Sequence, residues 1–493
     1  MNKTKHFFVA LACVGALGLQ SCSRNPVTGK KEIILMSEEQ EIALGAQSHP
    51  SIVATMGIYD DAKLNTFINE KGKAMAAISH RPNLPYQFNI VDSPVVNAFA
   101  VPGGYVYFTR GIMAHFNNTA EFMGVLGHEI GHVTARHSAR QQSSQIFGTG
   151  AVILGSIFLD KSGQLTEAAM QGLQMALLGY SRAHESESDE IGVNYSSKVG
   201  YDAREMSRFF GTIKRISDKS GQQIPTFMST HPDPGDRLVR VKQMAEAYQT
   251  ANPGNYAVER DSYLKMIEGI VYGDDPKQGF VENNMFYHPD LKFQFPVPTN
   301  WATENSPIQF QMAEKEGKAM MILTLAQGQS LEEAARTTAE KMSLKVSESK
   351  VTTVNNIPAL VMVSQIQQQQ QQGQPQQQQA QDPNKVVQLV SWFYQYGGSI
   401  LVMHGLSYAN TFMTYFPTFR GVGENFRQLT DPEKLNRKPD RIRIRTVNRT
   451  ATFAEVMRGF GMPQAKLKDL EILNQLNATD VVQQGTLVKT IGK

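Results

Sequence analysis

Cysteine is almost absent from this 493-residue chain, which has only Cys13 and Cys22. A disulfide framework is therefore excluded as the source of stability. Charge is sparse as well: 19% of residues are charged, 41% are hydrophobic, and the formal net charge is +3. No run of Lys and Arg interleaved with aromatics tracks a phosphate backbone, so nucleic acid is not an expected partner. Long apolar runs are missing too. Residues 7–19 and 151–159 fall short of the about 20 apolar residues that a permanent membrane-spanning helix needs. The second of these runs reads as a buried helix. What remains is the composition of a folded soluble protein, long enough for roughly two to four domains.

The amino terminus carries a targeting pattern. Lys3 and Lys5 precede the apolar stretch 7–19, which meets Ser21 and Cys22, so residues 1–21 read as a signal peptide. Leu19-Gln20-Ser21-Cys22 resembles a bacterial lipobox, whose cysteine receives a diacylglycerol anchor. Cys22 is then the lipidation site and residues 22–31, with Asn25-Pro26 and Thr28-Gly29, a tether. Cys13 leaves with the signal peptide, and the one remaining cysteine is an inert thioether, compatible with an oxidising compartment. The expected location is the bacterial cell envelope, lipid-anchored on the outer membrane and facing the periplasm.

Periodicity divides the remainder. Ser37 followed by Glu38, Glu39 and Glu41 marks a helix start. Further helices are expected over 61–79, 119–142, 165–198, onward to 218, and 234–248. Short strands are expected at 86–91 and 98–108, the latter interrupted by Pro102-Gly103-Gly104. Residues 32–275 thus form a mainly helical domain with a small edge sheet. Beyond it, Leu291, Phe293 and Phe295 alternate with polar residues, and Gly397-Gly398 signals a hairpin, giving an α+β domain over 283–432. Its Gln-rich insert, 367–381, reads as a loop that cannot bury enough apolar area to order itself. Residues 440–493 follow a strand, helix, helix, strand pattern. The fold class is α+β.

The chemistry lies in Gly127-His128-Glu129-Ile130-Gly131-His132, an H-E-x-x-H sequence. On a helix the two imidazoles are one turn apart on a single face and can grip one Zn²⁺, while Glu129 reaches a water instead. Zinc acidifies that water, Glu129 takes its proton, and a polarised carbonyl is attacked. A solvated surface helix is the rival reading, but Phe122, Val125, Leu126, Ile130 and Val133 make this helix a buried one. Burying two histidines and a glutamate without a metal is costly. For the third ligand the candidates are Glu185 and Glu187. Glu185 is favoured because Asp189, one turn further along the same face, can then hydrogen-bond a ligand imidazole.

Several linked motifs accompany these residues: Asn25-Pro26-Val27-Thr28-Gly29, Asn97-Ala98-Phe99-Ala100 before Pro102-Gly103-Gly104, Ser181-Arg182 with Glu185 and Asp189, and Ser229-Thr230-His231-Pro232 with Arg237. Together they resemble the BepA-like and HtpX-like family of envelope zinc peptidases, relatives of the CAAX prenyl protease. The resemblance implies a gluzincin-type zincin fold, one Zn²⁺ per chain and endopeptidase activity on misfolded or misassembled envelope proteins. It implies that Asn97, Ala98, Phe99 and Ala100 form the edge that pairs with substrate, and that His231 and Arg237 gate or support the metal. The 283–432 region resembles a PsbP-like fold. The last unit resembles a LysM module, which adds peptidoglycan to the expected partners beside polypeptide substrates, the membrane and the outer-membrane assembly machinery. The rival function is a zinc-retaining chaperone or assembly factor that cleaves little.

Overall fold

In the computed structural model, which describes residues 22–34, 36–145, 179–220, 226–232, 234–366 and 386–493, the chain begins as a small hairpin. Its strands, β1 (Cys22–Arg24) and β2 (Lys31–Ile33), pair antiparallel. The turn between them is held by Asn25 Oδ1, which accepts from the backbone N–H of Val27 at 2.9 Å and of Thr28 at 3.3 Å. The expected signal peptide, the apolar run 151–159, the first part of the helix expected from 165 and the Gln-rich insert lie outside the described residues. Among the described residues no helix is long and apolar enough to cross a membrane.

Helix α1 (Glu38–Met56) starts in a reciprocal cap: Ser37 Oγ accepts from Gln40 N, and Gln40 Oε1 from Ser37 N. Both donors would otherwise be orphaned at a helix start. After α2 (Ala62–Ala77), strands β3 (Gln87–Val91), β4 (Ala98–Val101) and β5 (Tyr105–Thr109) form a sheet of order β3-β5-β4. β3 runs parallel and β4 antiparallel to β5, which leaves β4 on the edge. A short α3 (Arg110–His115) leads to α4 (Thr119–Thr134), capped by Asn118 Oδ1 on Glu121 N at 2.8 Å and buried along its whole length.

The helix expected over 119–142 is broken. α4 stops at Thr134, Arg136 adopts a left-handed conformation (φ 57°), and α5 (His137–Gln145) starts in a new direction. Tertiary bonds outweigh helix continuity here. Arg136 Nε donates to Glu41 Oε1 at 2.5 Å and Nη2 to Met36 O at 2.6 Å, both on the opposing amino-terminal segment.

α6 (Arg182–Lys198) packs along α4, and α7 (Arg204–Ser220), α8 (Thr226–Thr230), α9 (Pro234–Ala251) and α10 (Arg260–Met266) complete the helical layer. Where α4 meets α6, glycine faces glycine: a Cβ on Gly127 would sit 3.0 Å from Gly192 Cα and O. The missing side chains let the two backbones approach closely enough for short acidic and imidazole side chains to meet.

Beyond β6 (Val271–Tyr272) lies a sheet-rich unit with its own core. One sheet contains β7 (Phe280–Glu282), β8 (Met285–His288) and β9 (Phe293–Pro296). A larger one contains β10 (Ala302–Ser306), β11 (Gln309–Ala313), β12 (Ala319–Leu325), then, after α11 (Leu331–Lys341), β13 (Leu344–Val354), β14 (Ile357–Ile366), β15 (Val387–Tyr396) and β16 (Ser399–Tyr408). Its order is β10-β11-β12-β16-β15-β14-β13, all neighbours antiparallel. Gly397 and Gly398, at φ 59° and 81°, make the two-residue turn joining β15 to β16. Such a turn needs left-handed residues at both positions. α12 (Phe412–Gly423) covers this sheet, and β17 (Arg427–Gln428) returns to β9.

The final segment returns to the helical layer. β18 (Asp440–Thr446) pairs with β6, then come β19 (Ala451–Thr452), α13 (Phe453–Gly459), α14 (Leu467–Asn474), β20 (Val481–Val482) and β21 (Leu487–Gly492) beside β18. Its apolar residues Ile442, Phe453, Leu470, Leu473 and Val488 belong to the same core as Phe122, Leu126 and Phe209 of the helical layer. The fold is mixed α+β, with the sheet-rich unit emerging between two segments that share one core.

Candidate zinc centre

Four buried side chains converge from three places. His128 and His132 come from α4, Glu185 from the first turn of α6, and His231 from the junction of α8 and α9. One donor atom from each lies within 4.8 Å of all the others, and the four residues are 1%, 2%, 1% and 1% exposed. His128 Nε2 is 2.9 Å from His132 Nε2 and 3.3 Å from His231 Nδ1. Glu185 Oε2 is 3.4 Å from His128 Nε2, and its Oε1 is 3.4 Å from His132 Nε2 and 3.1 Å from His231 Nδ1. A tetrahedron of N and O donors around Zn²⁺, with bonds of about 2.0–2.2 Å, has edges of about 3.3–3.6 Å. The donor set and its spacing therefore fit a zinc ion.

Glu129 supplies a second test of fit. Its carboxylate is fully buried and neither oxygen accepts a hydrogen bond from a described residue. His231 Nε2, at 3.6 Å from Oε1, is the histidine facing it. Burial pushes the Glu129 carboxyl up from its ordinary range, against the pull of His231 and His128. A buried, unsatisfied carboxylate costs stability and is retained where its acceptor capacity has a use.

The supporting residues account for the other charges. Asp189 Oδ1 is 3.1 Å from His128 Nδ1, so it orients that imidazole from the side away from the cluster. Arg237 reaches Asp189 with Nη2 at 2.6 Å and Nε at 3.0 Å, and Glu185 Oε2 with Nη1 at 2.8 Å. Its guanidinium also lies over the Phe210 ring, 4.3 Å from the centroid. Burial works against the charge on Glu185, but His231, Arg237 and His128 outweigh it and hold the carboxyl well below its usual range. Burial also holds His132 well below the ordinary histidine value, leaving a neutral imidazole able to ligate.

Glu187, the competing third ligand, is not in the cluster. It points to His137 Nε2 at 3.1 Å and Arg140 Nη1 at 2.8 Å. β4 is the outer strand of its sheet, yet residues 98–101 are all buried. Part of the cover is the His231 segment: His231 Nε2 is 3.3 Å from Ala98 O, and Thr230 Oγ1 donates to Asn97 Oδ1 at 3.3 Å. Two contacts escaped sequence reasoning. The Tyr180 ring stacks on His132 at 3.9 Å between centroids, and His137 touches the far nitrogen of the same imidazole. Neither position stands at a ligand spacing from the motif, and only the break at Arg136 turns His137 back toward it. Cys22 lies in β1 and is not one of the clustered residues.

Residues 62–245 match the family model described as Peptidase family M48. The chain is 28% identical over 312 residues to the beta-barrel assembly-enhancing protease of Yersinia pestis, covering 60% of this chain and 59% of that one. To the protein of the same name from Escherichia coli it is 28% identical over 222 residues, covering 43% and 45%. It is also 29% identical over 208 residues to the mitochondrial metalloendopeptidase OMA1 of Arabidopsis thaliana, covering 41% of each. The chain spans about half the length of the curated relatives it matches. Among solved structures, cyanobacterial PsbP (CyanoP) from Synechocystis covers 29% of this chain and 91% of its own at 8% identity, with a TM-score of 0.23, too low to support a fold assignment. Residues 62–245 thus resemble peptidase family M48, and within them His128, His132, Glu185 and His231 form a buried candidate zinc site of a metalloendopeptidase.

Proposed function

We propose that this chain is a zinc-dependent endopeptidase of the bacterial cell envelope that hydrolyses misfolded or misassembled envelope polypeptides. The observation that carries the reading is the bare, buried Glu129 carboxylate beside the four-donor cluster. His128, His132 and Glu185 would hold the ion, which when bound would supply Lewis acidity to a peptide carbonyl and to a water. Glu129 takes the proton of that water and passes it to the departing amine. Residues 97–100 pair with the extended backbone of the substrate, which requires the Thr230–His231 segment to withdraw. His231 thereby acts as the gate of the fourth corner, and Arg237 keeps Glu185 and Asp189 in place for both states.

A chelator-sensitive casein assay tests this. Glu129→Gln should keep its zinc and lose cleavage by about 10²–10⁴-fold. Undiminished cleavage by that variant, or wild-type protein that retains no zinc, would defeat the proposal. The second reading, an assembly factor that retains zinc and cleaves little, draws support from His231 standing where a water must enter. Glu129→Gln separates the two in cells, since an assembly factor keeps its function without the base.

The proposal also includes the lipid on Cys22, on the outer membrane facing the periplasm, supported by the lipobox resemblance and by the envelope-protease names of the relatives. Labelled palmitate incorporation that survives Cys22→Ala would remove it. Peptidoglycan as a partner of residues 440–493 rests on the LysM resemblance alone, and cosedimentation with peptidoglycan decides it.

A further inference from the structure

Behind His132 stands a second histidine that the proposed mechanism leaves unused. His137 is 0% exposed and opens α5 just after the break at Arg136. Its Nδ1 lies 2.9 Å from His132 Nδ1, and its Nε2 lies 3.1 Å from Glu187 Oε2. Glu187 also accepts from Arg140 Nη1 at 2.8 Å and from Asn25 Nδ2 at 3.2 Å. The rings are fixed as well: His184 stacks on His137 with centroids 4.4 Å apart and planes 14° from parallel.

The placement of hydrogens follows from the direction of the cluster. An imidazole that offers Nε2 to a cation carries its hydrogen on Nδ1, so His132 donates toward His137. His137 Nδ1 must then accept, which puts the hydrogen of His137 on Nε2, where Glu187 accepts it. Ser188 Oγ lies farther from His137 Nδ1, at 3.4 Å, and leaves the one lone pair of that nitrogen to His132. This ordering satisfies every link from carboxylate to metal ligand.

We infer that His137 and Glu187 are positioning residues that lock the tautomer and the plane of His132, with Asn25 and Arg140 bracing Glu187. The inference rests on the zinc reading of the cluster. It gives the two ligand imidazoles different supports: His128 leans on the Asp189 carboxylate directly, whereas His132 leans on a carboxylate relayed through a second imidazole. Arg140 also pairs with Glu32 at 2.7 Å, and Asn25 is 0% exposed. The hairpin that follows Cys22 is therefore fastened to the support of a metal ligand, although it contributes no ligand of its own.

Zinc affinity by chelator competition on the full chain tests the relay, with His137→Leu, His137→Gln and Glu187→Ala beside wild type. His137→Leu should weaken zinc binding about 10–100-fold, Glu187→Ala by about three- to tenfold, and His137→Gln, whose amide oxygen can accept from His132, should recover to within about threefold of wild type. Nitrogen-15 shifts of the zinc-loaded wild type should show His137 protonated on Nε2. A His137 hydrogen on Nδ1, or leucine and alanine variants that hold zinc as tightly as wild type, overturns the relay and leaves the zinc reading standing. Wild type that binds no zinc overturns both. Should His137→Leu fail to fold, the half-buried Glu187→Ala and the tautomer measurement decide alone.

Discussion

Replacing Lys489 by methionine tests whether the last strand is part of the peptidase core. Lys489 is 0% exposed, and its Nζ donates to Phe116 O at 2.6 Å, Ala114 O at 2.9 Å and Leu473 O at 3.1 Å. Two of these carbonyls belong to the end of α3 and its cap, just before α4, and the third to α14 of the final segment. Methionine keeps the apolar stem and deletes all three donors. A buried acceptor left without a partner costs about 1–3 kcal/mol, so three of them set the expected loss at about 3 kcal/mol or more. Glu121 enlarges it. Burial pushes that carboxyl up to about 7, and Asn117 N–H, Lys489 and Gln475 pull it back. Burial lowers Lys489 to about 7 as well, so the two groups share their charge; without the amine the carboxyl shifts higher still, and adding Glu121→Gln to Lys489→Met should recover part of the loss. The assay must report on α4 itself. Both tryptophans, Trp301 and Trp392, pack in the core of the sheet-rich unit, so fluorescence reads the wrong part of the molecule. The free energy of hydrogen exchange at α4 amides should fall by the full amount while the tryptophan transition in urea stays put. A change below about 1 kcal/mol at α4 would refute the reasoning, because the three carbonyls would then have satisfied themselves elsewhere.

Other consequences are quicker to state. His231→Ala should raise casein cleavage by about tenfold or more through opening the fourth corner, and unchanged cleavage removes the gate. Gly192→Ala places a Cβ 3.0 Å from His128 N and 3.1 Å from Gly124 O; overpacking of about 1–3 kcal/mol should follow in thermal melts, with weaker zinc binding. In the sheet-rich unit, burial holds His404 down at about 3, against an ordinary 6.5. The unfolded chain then takes up a proton that the folded one refuses, so the contribution is fully present above pH 6.5 and is lost at about 1.4 kcal/mol per pH unit as pH falls toward 3. Urea midpoints by tryptophan fluorescence should show that slope, and His404→Gln should flatten it.

How much of this could be read from the chain depends on the range of each interaction. The pair His128 and His132 is visible because one helical turn separates them, and the Glu185 and Asp189 pair repeats that logic on α6. The buried face of α4 follows from Phe122, Leu126 and Ile130. The Gly397-Gly398 turn carries its conformation in its own residues. The end of α4 could not be found this way, since Arg136 leaves the helix to reach Glu41, a residue 95 positions away. For the same reason Lys489 reads as a surface lysine in a closing strand until the partners at Ala114 and Phe116 are known. Glu187 and Glu185 differ by two positions and point to opposite sides of α6, which helical geometry predicts. That the outward one meets His137 depends on the break at Arg136.

On the proposed reading, His231 closes over the metal site and is held there by specific bonds. Opening must break the His231 contact with Glu185 at 3.1 Å and the Arg237 bond to His231 O at 3.4 Å, together with three hydrogen bonds that tie the segment to its other neighbours: His231 to Ala98 O, Thr230 to Asn97, and Tyr180 N to Thr230 O. At about 1 kcal/mol net for each, these three alone contribute about 3 kcal/mol to the closed state. Two of the three end on the β4 edge, at Asn97 and Ala98. A peptide in extended form that pairs with this edge makes bonds of the same kind to the same strand, and so offsets the cost of opening. A folded protein, its backbone already paired, cannot. On the proposed reading, selection for unfolded polypeptides then needs no recognition pocket, only a gate held shut by the hydrogen bonds that an unpaired strand can replace.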